Sequence, residues 1–307
     1  MLTADAKGVF PIAATPFRAD GSIDEKSVDR MIAYYVATGA DGCTILGIMG
    51  EAPKLDAEEA LGFVTRCVRR APKLPFVVGV SSPGFAAMRS LARASMEAGA
   101  AGVMIAPPSS LRTDDHIVGY YAQAVEAIGT DIPFVLQDYP LTLSVVMTPG
   151  VIRRIITDNP SCVMVKHEDW PGLEKISALR RFEQGGAMRR VSILTGNGGL
   201  FLDFEMERGA DGAMTGFAFP EMLVDVCRLE AAGHSAEAED LFDAYLPLAR
   251  YEQQPGVGLA VRKYVLAKRG AIASPTLRRP GPRLSPDDIA DIERLLARQE
   301  RRLAELG

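Results

Sequence analysis

Short apolar runs rich in β-branched residues alternate along the chain with longer amphipathic segments. Strands favour such runs, whereas helices favour apolar residues that recur every three or four positions. The runs predict eight strands, at residues 9–15, 43–46, 76–80, 102–106, 133–137, 162–166, 192–195 and 212–215. The amphipathic segments predict a helix after each strand, at residues 25–38, 57–70, 86–98, 114–128, 149–157, 173–183, 199–208 and 220–231. Eight strands that each precede a helix predict an α/β fold, the (β/α)8 TIM barrel.

A four-residue turn recurs between predicted helices and strands. Its copies are GADG at residues 39–42, GAAG at residues 99–102 and GADG at residues 209–212. The first glycine suits the end of a helix, where positive φ is needed, and the second allows a tight entry into the strand. The repeated turn therefore supports a repeated strand–helix unit.

The alternation stops near residue 232, and the remaining pattern is helical. Ser235 can cap a helix that runs to about residue 252, a second helix is predicted at residues 257–269, and Ser285 marks the start of a third. We predict a barrel at residues 1–232 and a C-terminal helical bundle at residues 233–307. We expect this bundle to pack on the barrel or on a neighbouring subunit.

Composition narrows the functional classes. A hydrophobic fraction of 48%, a charged fraction of 24% and a formal net charge of −5 are typical of a soluble globular protein and do not favour nucleic-acid binding. No apolar stretch reaches the ~18 residues that a membrane-spanning helix requires. Cys43, Cys67, Cys162 and Cys227 are widely spaced, which predicts buried thiols in a reducing compartment. We predict a cytoplasmic protein that binds neither nucleic acid nor membranes.

Two common kinds of cofactor site are not indicated. His116, His167 and His234 lie far apart in the sequence and lack the spacing of metal ligands. A GxGxxG dinucleotide motif and a Walker lysine are also missing. We therefore predict that neither a metal nor a nucleotide cofactor takes part.

The chemically distinctive residues follow the predicted strands, so in a barrel they would all face one mouth, where barrel enzymes place their active sites. Lys166 ends the sixth predicted strand, after Val163-Met164-Val165. A lysine with apolar neighbours can act as a nucleophile toward a carbonyl, although a lysine that points into solvent would fit the same pattern. The other segments at strand ends are Thr15-Pro16-Phe17, residues 47–51, residues 137–140, residues 196–199 and Thr215-Gly216-Phe217.

Several motifs together resemble the dihydrodipicolinate synthase/N-acetylneuraminate lyase family. They are Ala14-Thr15-Pro16-Phe17, Gly47-x-x-Gly50-Glu51, Pro107-Pro108, Asp138-x-Pro140, Val165-Lys166 and Gly196. The resemblance implies that Lys166 forms a Schiff base with a 2-keto acid such as pyruvate, without any other cofactor. It also implies a homodimer or homotetramer.

The departures from the family pattern bear on the substrate. Ile48 and Met49 stand where the synthases carry two threonines, and Gln137 stands where they carry a tyrosine. Thr142 and Ser109 fall where the synthases have an arginine and a tyrosine lent by a neighbouring subunit. These differences argue against condensation with aspartate semialdehyde.

The sugar-acid branch of the family, which includes L-2-keto-3-deoxyarabonate dehydratase, is more similar. The shared features are the turn Gln137-Asp138-Tyr139-Pro140, the run GAMTG at residues 212–216 and the pair Phe219-Pro220. We therefore predict a 2-keto-3-deoxy sugar acid dehydratase. A pyruvate-dependent aldolase, a true synthase and a non-catalytic keto-acid-binding relative stay open as alternatives.

The predicted site has a catalytic group and a binding group. Lys166, Gln137 and Tyr139 are the predicted catalytic residues, with Gln137 orienting a hydroxyl or a water because it cannot titrate. The predicted substrate-binding residues are Thr15, Ile48, Met49, Gly50, Glu51, Gly196, Asn197, Thr215 and Gly216. We expect the backbone amides of residues 48–50 to hold the substrate carboxylate. Tyr139, Glu51, Glu168 or the substrate's own carboxylate could move the proton, and the sequence does not rank them.

Overall fold

Eight parallel strands form the barrel that the sequence predicts, in a computed structural model that describes residues 1–170 and 172–307. The strands are Gly8–Val9 (β1), Cys43–Ile45 (β2), Phe76–Gly79 (β3), Gly102–Ile105 (β4), Phe134–Asp138 (β5), Cys162–His167 (β6), Ser192–Thr195 (β7) and Gly212–Ala213 (β8). Each strand pairs with the next along the chain from β2 to β8, and β8 pairs with β1. The predicted fold class is confirmed.

Helices cover the outside of the barrel and continue beyond it. The helices are Glu25–Ala37 (α1), Ala57–Arg70 (α2), Phe85–Glu97 (α3), Asp114–Ile128 (α4), Pro140–Leu143 (α5), Pro149–Asp158 (α6), Leu173–Gln184 (α7), Leu202–Glu207 (α8), Pro220–Ala231 (α9), Ser235–Glu252 (α10), Gly258–Lys268 (α11) and Pro286–Leu306 (α12). Short 3-10 turns at Ile48–Gly50 and Asn197–Gly199 follow β2 and β7.

The first strand is much shorter than predicted, because the chain after β1 makes irregular contacts to both neighbours. The amide of Phe10 donates to Ala213 on one side, and on the other side the amide of Ala13 donates to Thr44 O at 2.8 Å. Pro11 has no amide to donate, so a regular ladder cannot continue through it. Its carbonyl still accepts from the amide of Thr44 at 2.9 Å, and these bonds bring residues 11–13 against β2 to close the barrel.

Helix α8 also begins later than predicted. Gly198 and Gly199 have φ angles of 69° and 73°, which are left-handed values that an α-helix does not contain. The chain therefore makes a 3-10 turn after β7 and starts its α-helix only at Leu202.

The barrel interior is filled by side chains from alternate strand positions. Phe10, Val77, Val135, Met164 and Leu194 belong to one buried apolar cluster, and their outward-facing neighbours pack against the helices in another. Because side chains alternate along a strand, residues two positions after Val135 and Met164 also point toward the barrel axis. Those residues are Gln137 and Lys166.

The C-terminal helices pack on the barrel. Phe242 and Leu248 of α10 and Leu295 of α12 share a buried cluster with Leu223 of α9 and with Val9 of β1. Apolar residues of α11 belong to the main cluster around the barrel. Packing is continuous across residues 232 and 233, and the division into 1–232 and 233–307 stays a prediction. Among the described residues, no helix combines the length and the apolar character needed to cross a membrane.

Candidate active site

Lys166 lies at the carboxyl end of β6, and the residue is only 5% exposed. It stands directly opposite Gln137 of β5 in the parallel register, so the two side chains leave the barrel core side by side. The apolar layer below them includes Val135 and Met164. The strand alternation therefore places the Lys166 amine at the mouth of the barrel, above an apolar core.

Glu168 is the acidic partner of this lysine. Its Oε2 lies 2.9 Å from Lys166 Nζ and accepts a hydrogen bond from Gln137 Nε2 at 2.7 Å. The carboxylate is buried, and its backbone amide donates to Asp138 O at 2.8 Å, which extends the β5–β6 pairing by one residue. Gln137 thus orients Glu168, and its predicted role of orienting a hydroxyl or a water stays a prediction.

Gly196 makes room for that carboxylate. A Cβ at this position would lie 2.2 Å from Glu168 Cγ, far inside van der Waals contact. Gly196 is thus required for packing, since only a residue without a side chain lets Glu168 approach Lys166. Its contact with the substrate stays a prediction.

A cavity of about 50 Å³ opens at this point. The predicted site residues that line it are Lys166, Gln137, Tyr139, Ile48, Met49, Asn197, Thr215 and Gly216. Ile48 is 43% exposed and forms part of its outer edge. The structure therefore brings together all three predicted catalytic residues and five of the predicted binding residues.

Thr15, Gly50 and Glu51 lie behind the cavity wall. Thr15 Oγ1 donates to Gly50 O at 2.6 Å, which fastens the loop after β2 to the chain after β1. The Glu51 carboxylate accepts from Lys263 Nζ at 2.5 Å and from Lys54 Nζ at 2.7 Å. These residues hold the loop in place, and their predicted contacts with the substrate stay predictions.

The loop after β2 presents backbone amides to the cavity. Residues Ile48–Gly50 form one 3-10 turn, in which the amides of Gly50 and Glu51 donate back to Gly47 and Ile48. The first amides of a helical turn have no acceptor within it. The amides of Ile48 and Met49 are therefore the ones available to a substrate carboxylate.

The loop after β7 is held against Glu168. Asn197 has a φ of 50°, and its Nδ2 donates to Glu168 O at 2.9 Å. The amide of Gly198 donates to Thr215 Oγ1 at 2.7 Å, which ties the end of β7 to the segment after β8. Asn197 and Thr215 thus shape the cavity wall through protein contacts of their own.

Tyr139 is the third predicted catalytic residue. Burial raises the pKa of its phenol above the ordinary value, and the negative charge of Glu168 adds to that effect, while a hydrogen bond with Thr142 and the positive charge of Arg262 oppose it. The phenol therefore keeps its proton at neutral pH and acts as a hydrogen-bond donor more readily than as a base.

The sequence did not identify four residues that line the cavity. Ile12, Gly198, Gln253 and Arg262 complete its wall, the last two from the C-terminal helical region. An arginine next to Lys263 in a helical pattern is typical of a solvated surface, so no local signal marked it. The predictions that no metal or further cofactor takes part, and that the protein is a homodimer or homotetramer, stay predictions.

The sequence model of the dihydrodipicolinate synthetase family matches residues 5–299. The chain is 29% identical over 294 residues to the L-2-keto-3-deoxyarabonate dehydratase of Azospirillum brasilense, covering 93% of this chain and 92% of that protein. It is 30% identical over 246 residues to the 4-hydroxy-tetrahydrodipicolinate synthase of Persephonella marina, covering 79% and 81% of the two chains. A solved structure of a dihydrodipicolinate synthase from Rhodopseudomonas palustris is 63% identical, with a TM-score of 0.96 over 97% of this chain and 99% of that chain.

These matches confirm the resemblance drawn from the motifs. They also agree with the position of Lys166 beside Glu168 at the carboxyl end of the barrel. The chain belongs to the dihydrodipicolinate synthetase family and is a Schiff-base lyase of the class I type.

Proposed function

We propose that the protein dehydrates a 2-keto-3-deoxy sugar acid through a Schiff base on Lys166. The observation that carries this proposal is the contact between Lys166 and Glu168, with Glu168 Oε2 at 2.9 Å from Nζ. The similarity to a 2-keto-3-deoxyarabonate dehydratase along 93% of the chain also supports it.

The reaction begins at the amine. Lys166 Nζ attacks the C2 carbonyl of the keto acid, water leaves, and a protonated imine forms that draws electrons from C3. C3 is then two bonds from Nζ, so a carboxylate oxygen that lies beside Nζ is placed to take a proton from C3. Loss of this proton gives the enamine.

Elimination follows from the enamine. The C3–C4 double bond forms as the C4 hydroxyl departs, and the proton held by Glu168 can pass to that hydroxyl so that it leaves as water. Gln137 keeps the carboxylate oriented through its 2.7 Å hydrogen bond. Hydrolysis of the imine then frees Lys166 and releases the dehydrated keto acid.

Two related activities also begin with a Schiff base on Lys166. A pyruvate-releasing aldolase would reach the enamine by breaking the C3–C4 bond. A 4-hydroxy-tetrahydrodipicolinate synthase is favoured by the names of the Persephonella marina and Rhodopseudomonas palustris relatives. The cavity argues against this last activity, because Ile48, Met49 and Gln137 contribute no hydroxyl group to it.

Product analysis separates the three. The protein is incubated with stereoisomers of 2-keto-3-deoxypentonate, and separately with pyruvate plus aspartate semialdehyde, and the products are identified by mass spectrometry. We expect a keto acid one water lighter than the pentonate. Released pyruvate would favour the aldolase, and a cyclic condensation product would favour the synthase. The Lys166→Ala variant controls for contaminating activity.

A further inference from the structure

Arg262 brings a buried guanidinium to the cavity from outside the barrel. It lies on α11, is 2% exposed, and lines the cavity together with Lys166. Its Nε is ion-paired with Glu252 Oε1, and Glu252 Oε2 accepts from the amide of Ala218 at 3.3 Å. The guanidinium is therefore anchored on one edge.

The other edge of the guanidinium includes a donor that the protein does not use. Arg262 Nη1 is buried and has no hydrogen-bond partner among residues 1–170 and 172–307. Buried donors without a partner are rare because their desolvation is not compensated. A fixed, unpartnered donor at a ligand cavity is the feature expected of a group that binds the ligand.

The backbone is arranged to admit this side chain. A Cβ on Gly216 would lie 2.1 Å from Arg262 Nη1 and 2.7 Å from its Cζ, so any other residue would displace the guanidinium. Gly216 follows β8, whereas Ile48 and Met49 follow β2, and these two strands flank β1 around the barrel. Arg262 thus stands on the same side of the cavity as the predicted carboxylate loop.

Charge favours a carboxylate as its ligand. The cavity carries two opposed pairs, Lys166 with Glu168 and Arg262 with Glu252, which leave no net charge. The substrate adds one carboxylate, and the guanidinium fork matches carboxylate oxygens in shape and charge. The side chains of Ile48 and Met49 cannot supply this interaction.

We propose that Arg262 binds the C1 carboxylate of the 2-keto acid, together with the amides of Ile48 and Met49, and that Glu252 positions it. The inference rests on the Schiff-base chemistry of the proposed function but not on the choice between dehydration and cleavage. The sequence predicted that only the loop after β2 contacts the substrate carboxylate. The inference adds a contact from a C-terminal helix, α11.

Reductive trapping with borohydride provides the test. The concentration of carbonyl compound that gives half-maximal adduct on Lys166 is measured by mass spectrometry for pyruvate, for a 2-keto-3-deoxypentonate and for acetone, which has no carboxylate. In Arg262→Lys, the ammonium can pair with Glu252 but cannot also present the fork. We expect this concentration to rise about 10- to 100-fold for both acids, as for the loss of a charged hydrogen bond, and to stay unchanged for acetone.

Two further variants keep the test decisive. The double variant Arg262→Met/Glu252→Gln removes both charges, so no buried carboxylate is left unpaired, and it should show the same selective loss. Arg180→Lys is the matched control, because this buried arginine lies at the amino ends of β7 and β8 and donates to Gly209, Val191 and Asp211. Thermal melting confirms that each variant is folded.

Two outcomes would overturn the inference, and a third would overturn the proposed function beneath it. An unchanged concentration for pyruvate with a rise for the pentonate alone would assign Arg262 to the distal part of the substrate. An equal change for acetone would show a purely structural role. Absence of any adduct on Lys166 in the wild-type protein would instead overturn the Schiff-base function on which the inference rests. This failure can be told apart from a failure of the inference, because it is seen in the wild-type protein without any variant.

Discussion

Two buried lysine–glutamate pairs lie at the same end of the barrel. They differ in how many of the lysine's hydrogen-bond donors have an acceptor within the protein. Lys263 Nζ donates to Thr15 O at 2.7 Å, to Glu51 at 2.5 Å and to Thr276 O at 3.0 Å. All three N–H groups of this ammonium therefore have acceptors within the protein. Lys263 Nζ also lies 4.6 Å from the centre of the Phe17 ring.

Lys166 has the same kind of partner but a different environment. Glu168 is its one ion-pair partner within the described residues, and both side chains line the cavity. The comparison teaches that burial and a carboxylate do not by themselves make a lysine reactive. A lysine can act on a ligand when some of its hydrogen-bonding capacity faces a space that the ligand can enter.

Substituting Lys166 should give the largest effect on activity. In Lys166→Met, we expect turnover of the best keto acid to fall by about 10⁴-fold or more, because the covalent intermediate cannot form. The free energy of unfolding should fall only modestly, because Glu168 borders the cavity and keeps its hydrogen bond from Gln137. Steady-state kinetics and urea unfolding measure the two quantities, and residual turnover near the wild-type rate would refute the assignment.

Glu168→Gln isolates proton transfer from covalent chemistry. We expect kcat to fall by about 10²- to 10⁴-fold, the usual contribution of a general acid or base. Borohydride should still trap pyruvate on Lys166, because the amine remains in place. A variant that turns over normally would mean that another group, such as Tyr139, moves the proton.

Lys263→Met should reverse the pattern seen for Lys166→Met. Removing this lysine leaves Glu51 with Lys54 as its remaining ion-pair partner and leaves the carbonyls of Thr15 and Thr276 without their donor. We expect unfolding to become easier by about 1–3 kcal/mol, the cost of buried polar groups that lose their partner. The double variant with Glu51→Gln should recover part of that loss, which a double-mutant cycle in urea would quantify. If Lys263→Met were as stable as the wild type, the division into a structural and a reactive pair would be wrong.

Glu205 on α8 has a buried carboxyl group, and its Oε2 has no hydrogen-bond partner in the part of the chain that the structure describes. Burial raises its pKa from 4.5 to about 7, while His167 and a hydrogen bond from Thr195 act in the opposite direction. Between these two pKa values the folded state holds a proton that the unfolded state has lost. Stability therefore falls as the pH rises through this window, by up to about 3 kcal/mol.

In Glu205→Gln this pH dependence should disappear. Between pH 4 and pH 8, the free energy of unfolding of the variant should gain up to about 3 kcal/mol relative to the wild type. Glu239→Gln, at an exposed position of α10, is the matched control and should leave the profile unchanged. Parallel profiles for Glu205→Gln and the wild type would contradict the expectation.

The sequence predicted the barrel and its central lysine because both depend on local pattern. Strand alternation alone puts Lys166 on the same face as Met164, toward the barrel axis, and the family motifs supplied its chemistry. The bounds of β1 were wrong because proline and irregular pairing at Pro11 interrupt a ladder that the apolar pattern could not distinguish from a regular strand.

Other parts of the site depend on contacts between distant segments. Glu51 has left-handed backbone angles, with a φ of 55°, and its carboxylate meets a lysine 212 residues away, which no local pattern indicates. Arg262 reaches the cavity because α11 packs on the barrel and Gly216 lacks a side chain. Each of these positions is set by tertiary packing and not by local propensity.

Reductive trapping followed by peptide mapping tests the central claim most directly. The wild-type protein is treated with pyruvate and borohydride, digested, and searched for the mass of the reduced adduct on every lysine. We predict modification of Lys166 and none of Lys263, although both are buried beside a glutamate. An adduct on Lys263, or no adduct on Lys166 with any 2-keto acid, would contradict the account.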